Sequence, residues 1–381
     1  MDGCSQKLRS QNKLLLMSKK VGIVVGTRPN FIKITQFEKE LTKYGSEFEM
    51  KLIHTGQHFD RNMSDVFFEQ FELRKPDVFL EVKGMSPVEQ IGEIITKLGQ
   101  FIQDWKPDLL ITPGDVNSTL AAAIAANKTG TRLAHLESGL RSFDRTMPEE
   151  INRLLTDEIT DEFFVTEPSG LKHLKEEKAA GRVHYVGNTM IDTLVAFEEE
   201  IEASPVLEDY GLAEDGFVLM TMHRPANVDG EENLLKLLQI LDHITATYKI
   251  VFPIHPRTRK SLESHGLMSR VDANNQIVLL PPLDYFGFQK LTAKCKFVLT
   301  DSGGIQEETT FRQKPCLTLR PNTERPVTID IGTNTLVPFE PDTVTAYIDS
   351  IIDGTYKTGE VPELWDGRAT ERIVKILSEI L

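Results

Sequence analysis

The hydrophobic positions of the chain fall into two kinds of segment that alternate. Short apolar runs rich in β-branched residues are followed by longer stretches with apolar residues at helical spacing. This alternation predicts βαβ units, and therefore parallel sheets with helices on both faces. The predicted strands are residues 21–26, 50–55, 108–112, 132–136 and 162–166, and after a break 217–222, 250–254, 277–280, 297–300, 316–319 and 335–338.

Two series of strands predict two Rossmann-like, doubly wound α/β domains. We expect the first domain to span residues 19–187 and the second to span residues 188–366. The amphipathic last helix, 367–381, is predicted to pack back on the first domain. Residues 1–18 are expected to be a disordered extension, with Met17 as the natural start.

Polar residues gather where the predicted strands end. In doubly wound sheets, ligands bind at the carboxyl ends of the strands. Ionisable or glycine-rich segments follow eight strands, which is more than helix capping requires. We therefore expect both sheets to face one central cleft. The segments are 26–29, 54–58, 113–115, 135–139, 222–224, 255–257, 301–304 and 323–325.

The turn at 302–304 is the most specific of these segments. An apolar run precedes Ser302, which is predicted to be a helix N-cap, and two glycines follow it. Free backbone N–H groups at such a turn favour an anion, most often phosphate. Glu308 lies in the first turns of the same predicted helix and could accept from ribose hydroxyls. The alternative is a capped helix that binds nothing.

Composition narrows the class of protein. The chain has 381 residues, 40% hydrophobic and 26% charged, as in soluble globular proteins of two domains. Its net charge of −14 argues against a nucleic-acid partner. No apolar run is long enough to span a bilayer, so no membrane partner is expected. Three cysteines without metal-ligand spacing predict buried thiols, a cytoplasmic location and no metal site.

Seven motifs, in this order and spacing, resemble the non-hydrolysing UDP-N-acetylglucosamine 2-epimerases. The resemblance runs from about residue 21 to the C-terminus and implies the GT-B architecture, a UDP-sugar substrate, a homodimer, no cofactor and a place in polysaccharide biosynthesis. No G-x-G-x-x-G follows the first strand. The motifs are Gly-Thr-Arg-Pro at 26–29, Gly-Asp at 114–115, His-Leu-Glu-Ser-Gly-Leu-Arg at 135–141, Pro-Glu-Glu-Ile-Asn-Arg at 148–153, His-Arg at 223–224, Asp-Ser-Gly-Gly-Ile-Gln-Glu-Glu at 301–308 and Thr-Glu-Arg-Pro at 323–326.

The resemblance implies which residues catalyse. Asp115, Glu137 and Glu149 match the family's acid/base carboxylates, and His223 matches the residue that carries charge of the leaving group. From the residues alone, Asp115 could equally be an N-cap, Glu137 could form a structural ion pair with Arg141, and Glu149 could serve only the helix dipole. Which carboxylate acts on which face of the sugar stays open.

The same resemblance implies a set of substrate-binding residues. Arginines can fork onto phosphate oxygens, and Glu308 matches the ribose-binding carboxylate. Phe288 matches an aromatic residue beside the uracil, although the bare pattern makes it a core residue. The implied set is Arg28, Lys33, Arg141, Phe288, Ser302, Gly303, Gly304, Glu308 and Arg325.

The implied activity is interconversion of UDP-GlcNAc and UDP-ManNAc by elimination of UDP and its re-addition. Three alternatives stay open: a 2-epimerase of another UDP-2-acetamido sugar, such as a UDP-2,3-diacetamido uronic acid, a GT-B glycosyltransferase and a UDP-sugar sensor. Many bacterial relatives are activated by a second UDP-GlcNAc. Gln57 and His58 match that region, but Asp60 and the Gly84-Met85 pair depart from it, so we predict weak or absent activation.

Overall fold

The computed structural model describes residues 18–57 and 68–381. Within them lie two wholly parallel sheets. The strands are β1 (Lys19–Val25), β2 (Phe48–His54), β3 (Val78–Phe79), β4 (Leu109–Pro113), β5 (Arg132–Leu136), β6 (Glu162–Val165) and β7 (Arg182–Tyr185), then β8 (Phe217–Thr221), β9 (Lys249–Pro253), β10 (Ile277–Leu280), β11 (Val298–Thr300), β12 (Cys316–Thr318) and β13 (Asn334–Leu336).

Both sheets are doubly wound, as the sequence predicts. The strand order is β3-β2-β1-β4-β5-β6-β7 in the first and β10-β9-β8-β11-β12-β13 in the second. The order reverses between β1 and β4 and between β8 and β11, and the crevices at these points are where such sheets bind ligands. Most of the predicted site residues follow these four strands and β5, whereas Phe288 follows β10 and Arg325 follows β12.

Helices connect the strands. In the described residues they are α1 (Arg28–Ile32), α2 (Phe37–Thr42), α3 (Pro87–Trp105), α4 (Asn117–Thr129), α5 (Pro148–Glu158), α6 (Pro168–Glu176), α7 (Thr189–Ala196), α8 (Glu198–Ala203), α9 (Val206–Asp209), α10 (Pro225–Val228), α11 (Glu231–Thr245), α12 (Pro256–Ser264), α13 (Met268–Asp272), α14 (Tyr285–Lys294), α15 (Ile305–Phe311), α16 (Val327–Asp330), α17 (Pro341–Ile352) and α18 (Ala369–Ile380), with a 3₁₀ turn at Gly45–Glu47.

The sequence of α3 explains where this helix begins and which of its faces is buried. In α3, the Ser86 side chain accepts from the Glu89 N–H at 3.4 Å, and the Glu89 carboxylate accepts from the Ser86 N–H at 3.0 Å. This capping box fixes the start of the helix. Apolar residues at helical spacing, such as Ile94 and Leu98, are fully buried against the first sheet.

The last helix, α18, packs against a different sheet from α17, the helix before it. Ile373, Val374 and Leu377 of α18 are fully buried in the core cluster that contains β1 of the first sheet. The chain therefore returns to the first sheet after it has completed the second. The predicted domain limits stay a prediction, and the proposed start at Met17 lies outside the described residues. None of the helices in residues 18–57 and 68–381 has the length and apolarity required of a membrane span.

Candidate active site

The turn after β1 is tied to the end of β4. The Asn30 side-chain oxygen accepts from the N–H groups of Gly26 and Thr27, each at 3.1 Å. The Asn30 amide group donates to the Pro113 carbonyl at 3.1 Å. Arg28 therefore begins α1 at a fixed position beside the first switch point. Its guanidinium is half-buried, and burial lowers its pKa.

Glu137 lies at the centre of the site. It follows β5 with a left-handed φ of 64°. This conformation costs a residue other than glycine about 1–3 kcal/mol and is concentrated at functional sites. Its carboxylate is buried and pairs with the ammonium group of Lys33. A Cβ at Gly114 would lie 3.0 Å from the Lys33 Nζ, so glycine at 114 makes room for this pair.

Asp115 is held by an arginine that the sequence reasoning missed. The buried Arg153 guanidinium contacts the carboxylates of Asp115 and Glu150. Burial alone would lower the pKa of Arg153, but these carboxylates raise it on balance. Its spacing of three from Glu150 on one helix face was a signal that could have found it. Glu149 lies in the first turn of the same helix and is exposed.

The structure contradicts the predicted alternative in which Glu137 pairs with Arg141. Arg141 is buried, and its guanidinium contacts Asp157 at 2.7 Å and Glu177 at 2.6 Å. The left-handed turn at Glu137 instead directs that carboxylate to Lys33. Arg141 is thus engaged away from Glu137, and its predicted role in substrate binding stays a prediction.

In the second domain, a buried carboxylate orients His223. Asp301 follows β11, and its carboxylate contacts the His223 Nδ1 at 2.8 Å. It also accepts from the backbone N–H of Arg224 at 2.7 Å. Burial raises the pKa of Asp301, but the contact with the His223 side chain and the backbone N–H groups of His223 and Arg224 lower it below its usual value. Because a carboxylate only accepts, Nδ1 donates, and Nε2 is left for a ligand.

The predicted N-cap at Ser302 is wrong. Helix α15 begins at Ile305, its cap residue is Gly304, and no side chain caps it. The Ser302 N–H donates to the Thr300 hydroxyl at 3.0 Å, which turns the chain before the helix begins. The turn therefore extends two residues further than predicted, to Gly304.

Gly303 packs against a buried group of charges. A Cβ at this position would lie 3.0 Å from a Glu324 oxygen and 3.4 Å from an Arg325 nitrogen. Any larger residue would have to displace these side chains. The turn 302–304 thus brings its backbone close to arginine side chains.

Arg325 joins the two domains. Its guanidinium contacts Glu324 and lies 2.7 Å from a Glu307 oxygen. On the other side it lies 3.6 Å from the carboxylate of Glu137, which follows β5 of the first sheet. Burial lowers the pKa of Arg325, but Glu307, Glu324 and Glu137 together raise it well above its usual value.

In the second domain, Glu308 of α15 is buried and Phe288 of α14 is half-buried. Burial, with repulsion from Glu307, raises the pKa of Glu308 to about 7. Its carboxyl group therefore changes charge in the physiological range. Phe288 packs beside a core cluster of this domain, as a bare reading of the pattern predicts.

The structure thus brings Lys33, Glu137 and Arg325 together. It pairs Asp115, which follows β4, with Arg153 of α5. In residues 18–57 and 68–381, no cluster of three or more His, Cys, Asp or Glu side chains is suited to a metal ion. The arrangement offers carboxylates for proton transfer and arginines and a histidine for an anion.

Comparison with known proteins gives a consistent result. Residues 39–378 match the family described as UDP-N-acetylglucosamine 2-epimerase. A protein of that name from Methanococcus maripaludis is 38% identical over 339 residues, 87% of this chain and 92% of its own. A UDP-2,3-diacetamido-2,3-dideoxy-D-glucuronate 2-epimerase from Pseudomonas aeruginosa is 35% identical over 367 residues, covering 95% of this chain and 100% of its own.

A solved structure adds the fold. The UDP-GlcNAc 2-epimerase of Methanocaldococcus jannaschii, in complex with UDP-GlcNAc and UDP, superimposes with a TM-score of 0.84 at 35% identity. The match covers 94% of this chain and 99% of that chain. This likeness confirms the GT-B type of architecture that the sequence predicts.

Proposed function

The chain belongs to the UDP-N-acetylglucosamine 2-epimerase family, and we propose that it interconverts UDP-GlcNAc and UDP-ManNAc without hydrolysing them. One observation carries the proposal. Glu137 of the first domain and Arg325 of the second approach to 3.6 Å. The carboxylates suited to the sugar and the cations suited to the diphosphate are therefore parts of one cluster.

The reaction needs no redox change. A base removes the proton at C2, and the bond between C1 and the diphosphate oxygen breaks with its electron pair leaving on UDP. A glycal with a double bond between C1 and C2 remains. UDP adds back to C1 while an acid delivers a proton to the opposite face of C2. Acid and base must therefore flank C2.

Asp115, Glu137 and Glu149 are the proposed acid/base groups. Asp115 and Glu137 follow the adjacent strands β4 and β5, and each is held by a cation, Arg153 and Lys33 respectively. Two carboxylates positioned separately in this way suit the two faces of one carbon atom. Arg28, His223 and the turn at 302–304 are proposed to hold the departing diphosphate.

The ribose and uracil are assigned to the second domain. Glu308 is proposed to accept from the ribose hydroxyls and Phe288 to lie beside the base. Arg141 stays a proposed substrate-binding residue. These groups keep UDP bound after its bond to the sugar breaks, so that it can return.

Incubation with UDP-GlcNAc in deuterated water tests the proposal. We expect UDP-ManNAc to appear and deuterium to enter C2 of both sugar nucleotides, measured by NMR and mass spectrometry. Protein denatured by heat is the control for exchange without enzyme. Absence of deuterium at C2 in both compounds would sink the proposal.

A second substrate deserves the same assay, because the Pseudomonas relative named for the diacetamido uronic acid is about as similar as the others. We expect UDP-GlcNAc to give the higher kcat/KM, and the reverse order would assign the chain to the other sugar. A product that forms only with an added acceptor would indicate a glycosyltransferase, and binding without turnover would indicate a sensor.

We further propose a cytosolic homodimer with hyperbolic kinetics. Cys295 and Cys316 are buried free thiols, which suits a reducing compartment. Burial raises their pKa values to about 12 and about 11, so they are unreactive. Light scattering tests the dimer. The prediction of weak activation rests on Asp60, which lies outside the described residues together with His58, and on the Gly84-Met85 pair. A sigmoidal rate curve would contradict that prediction.

A further inference from the structure

Arg320 is a buried arginine whose hydrogen-bonding capacity is only partly used. It follows β12, and only 3% of its surface is exposed. One of its terminal nitrogens donates to Glu324 at 3.1 Å. Its Nε and Nη1 have no hydrogen-bond partner among the described residues.

The unpartnered side of this guanidinium faces the turn that follows β11. A Cβ at Gly303 would lie 3.2 Å from the Arg320 Nη1. Glycine at 303 therefore allows the backbone of the turn to lie directly beside that nitrogen. The geometry places this cation next to whatever the turn holds.

The positive charges around Arg320 also favour the binding of an anion. Burial lowers its pKa, Glu324 raises it, and the guanidinium groups of Arg224 and Arg325 lower it again. Three arginines thus crowd one turn. A buried N–H without a partner costs about 1–3 kcal/mol, and more when it belongs to a charged group. A dianionic ligand would satisfy the donors and relieve the repulsion together.

We propose that Arg320 is a further phosphate-binding residue that donates to the diphosphate of the UDP-sugar in front of Gly303. The proposal rests on the proposed function, because it assumes that the turn holds a nucleoside diphosphate. In this arrangement Glu324 neutralises part of the charge of Arg320 and Arg325, and their remaining N–H groups are available to the ligand.

A purely structural role for Arg320 makes a different prediction. If its only task were to pair with Glu324, removing either partner would harm the site in the same direction. If it binds phosphate, the two substitutions diverge. Arg320→Gln removes donors from the anion, whereas Glu324→Gln removes a negative charge that lies beside the anion.

The experiment compares UDP and uridine binding to the full chain, by calorimetry and NMR titration. For Arg320→Gln we expect UDP to bind about 10- to 100-fold more weakly, the range for a charged hydrogen bond, and uridine to bind as before. Glu324→Gln should bind UDP at least as tightly as the unchanged protein. Arg270→Gln is the control, because Arg270 pairs with Asp242 on the exposed surface.

The outcomes separate the two proposals. Failure of the unchanged protein to bind UDP would overturn the proposed function itself. If the unchanged protein binds UDP and Arg320→Gln binds it equally well, or loses uridine to the same extent, Arg320 does not bind the phosphate. If circular dichroism shows that Arg320→Gln does not fold, Arg320→Lys takes its place. Lysine keeps the charge but lacks the forked donors of arginine, and the ratio of UDP affinity to uridine affinity again decides.

Discussion

Asp115 is the residue whose chemical role can be tested with the least change to the structure. Its side chain is 27% exposed and held by Arg153. Asp115→Asn keeps the size and one acceptor but cannot take a proton. We expect kcat to fall roughly 10²–10⁴-fold, the usual contribution of an acid or base, while UDP still binds.

The exposed Asp104, whose carboxylate accepts from Gln100 within α3, supplies the matched control. Asp104→Asn should leave kcat unchanged. Product formation from UDP-GlcNAc and calorimetry with UDP measure the two effects. Full activity of the Asp115 variant would remove this residue from the mechanism.

Glu308 predicts a pH dependence of binding. Its pKa is raised to about 7 by burial first and by Glu307. The ionised carboxylate accepts from ribose hydroxyls, whereas the protonated form that dominates below its pKa accepts poorly. Affinity for UDP-GlcNAc should therefore rise with pH up to about 7 and change up to tenfold per unit below it.

Binding is best measured with the Asp115→Asn protein, which is expected to convert the ligand much more slowly. Adding Glu308→Gln should flatten the pH profile, since the amide does not titrate. A slope that persists in this double variant would assign the titration to another group.

Single residues also mark the limit of what the sequence could predict. The motifs located Asp115 and Glu137, but not their partners, because ion pairs depend on backbone geometry. The left-handed turn at Glu137 directs its carboxylate to Lys33 and away from Arg141. Arg153 was visible in a motif, yet only the packing of α5 shows that it holds Asp115.

At the scale of elements, the contact between the turn after β1 and helix α4 predicts that position 26 requires glycine. A Cβ at Gly26 would lie 2.1 Å from the Ser118 hydroxyl oxygen. Gly26→Ala should therefore lower the melting temperature and move Arg28, which raises KM. Gly92 in α3 has open space around it.

Gly92→Ala is the matched control and should stabilise the protein by up to about 1 kcal/mol, because alanine is the better helix former. Thermal unfolding followed by circular dichroism measures both variants. Equal melting temperatures for the two would show that the turn adapts to a Cβ.

Elements with a strong hydrophobic pattern were predicted well. All eleven predicted strands are present, with ends that differ by at most two residues. The pattern missed β3, which has only two residues, and β7, whose first two residues are exposed. Both are edge strands, so burial leaves little hydrophobic signal in their sequences. The start of α15 was misplaced because a Ser-Gly-Gly turn resembles a cap.

At the scale of the whole molecule, α18 couples the two ends of the chain. Leu377 is fully buried in the core cluster of the first sheet. Leu377→Ala should lower the free energy of unfolding by about 2–5 kcal/mol, the range for such truncations. Lys375→Ala on the exposed side of the same helix should have little effect. Similar denaturation midpoints for both variants would contradict the packing.

Glu167 links the domains and predicts how stability changes with pH. It precedes α6 of the first domain and accepts from the Val327 N–H of the second at 3.4 Å. It is fully buried, and burial with repulsion from Glu307 raises its pKa to about 7. The folded protein therefore holds a proton that the unfolded chain releases above its ordinary pKa of 4.5.

Stability contributed by this group is present at low pH and is lost as the pH rises from about 4.5 to about 7, a loss of at most about 3 kcal/mol. Glu167→Gln cannot ionise, so it should gain stability relative to the unchanged protein at about pH 8 but not at about pH 5. Denaturant unfolding at both pH values measures the difference, in which constant effects of the amide cancel. The same shift at both pH values would mean that Glu167 is ionised in the folded protein, and that the domain contact tolerates a buried charge.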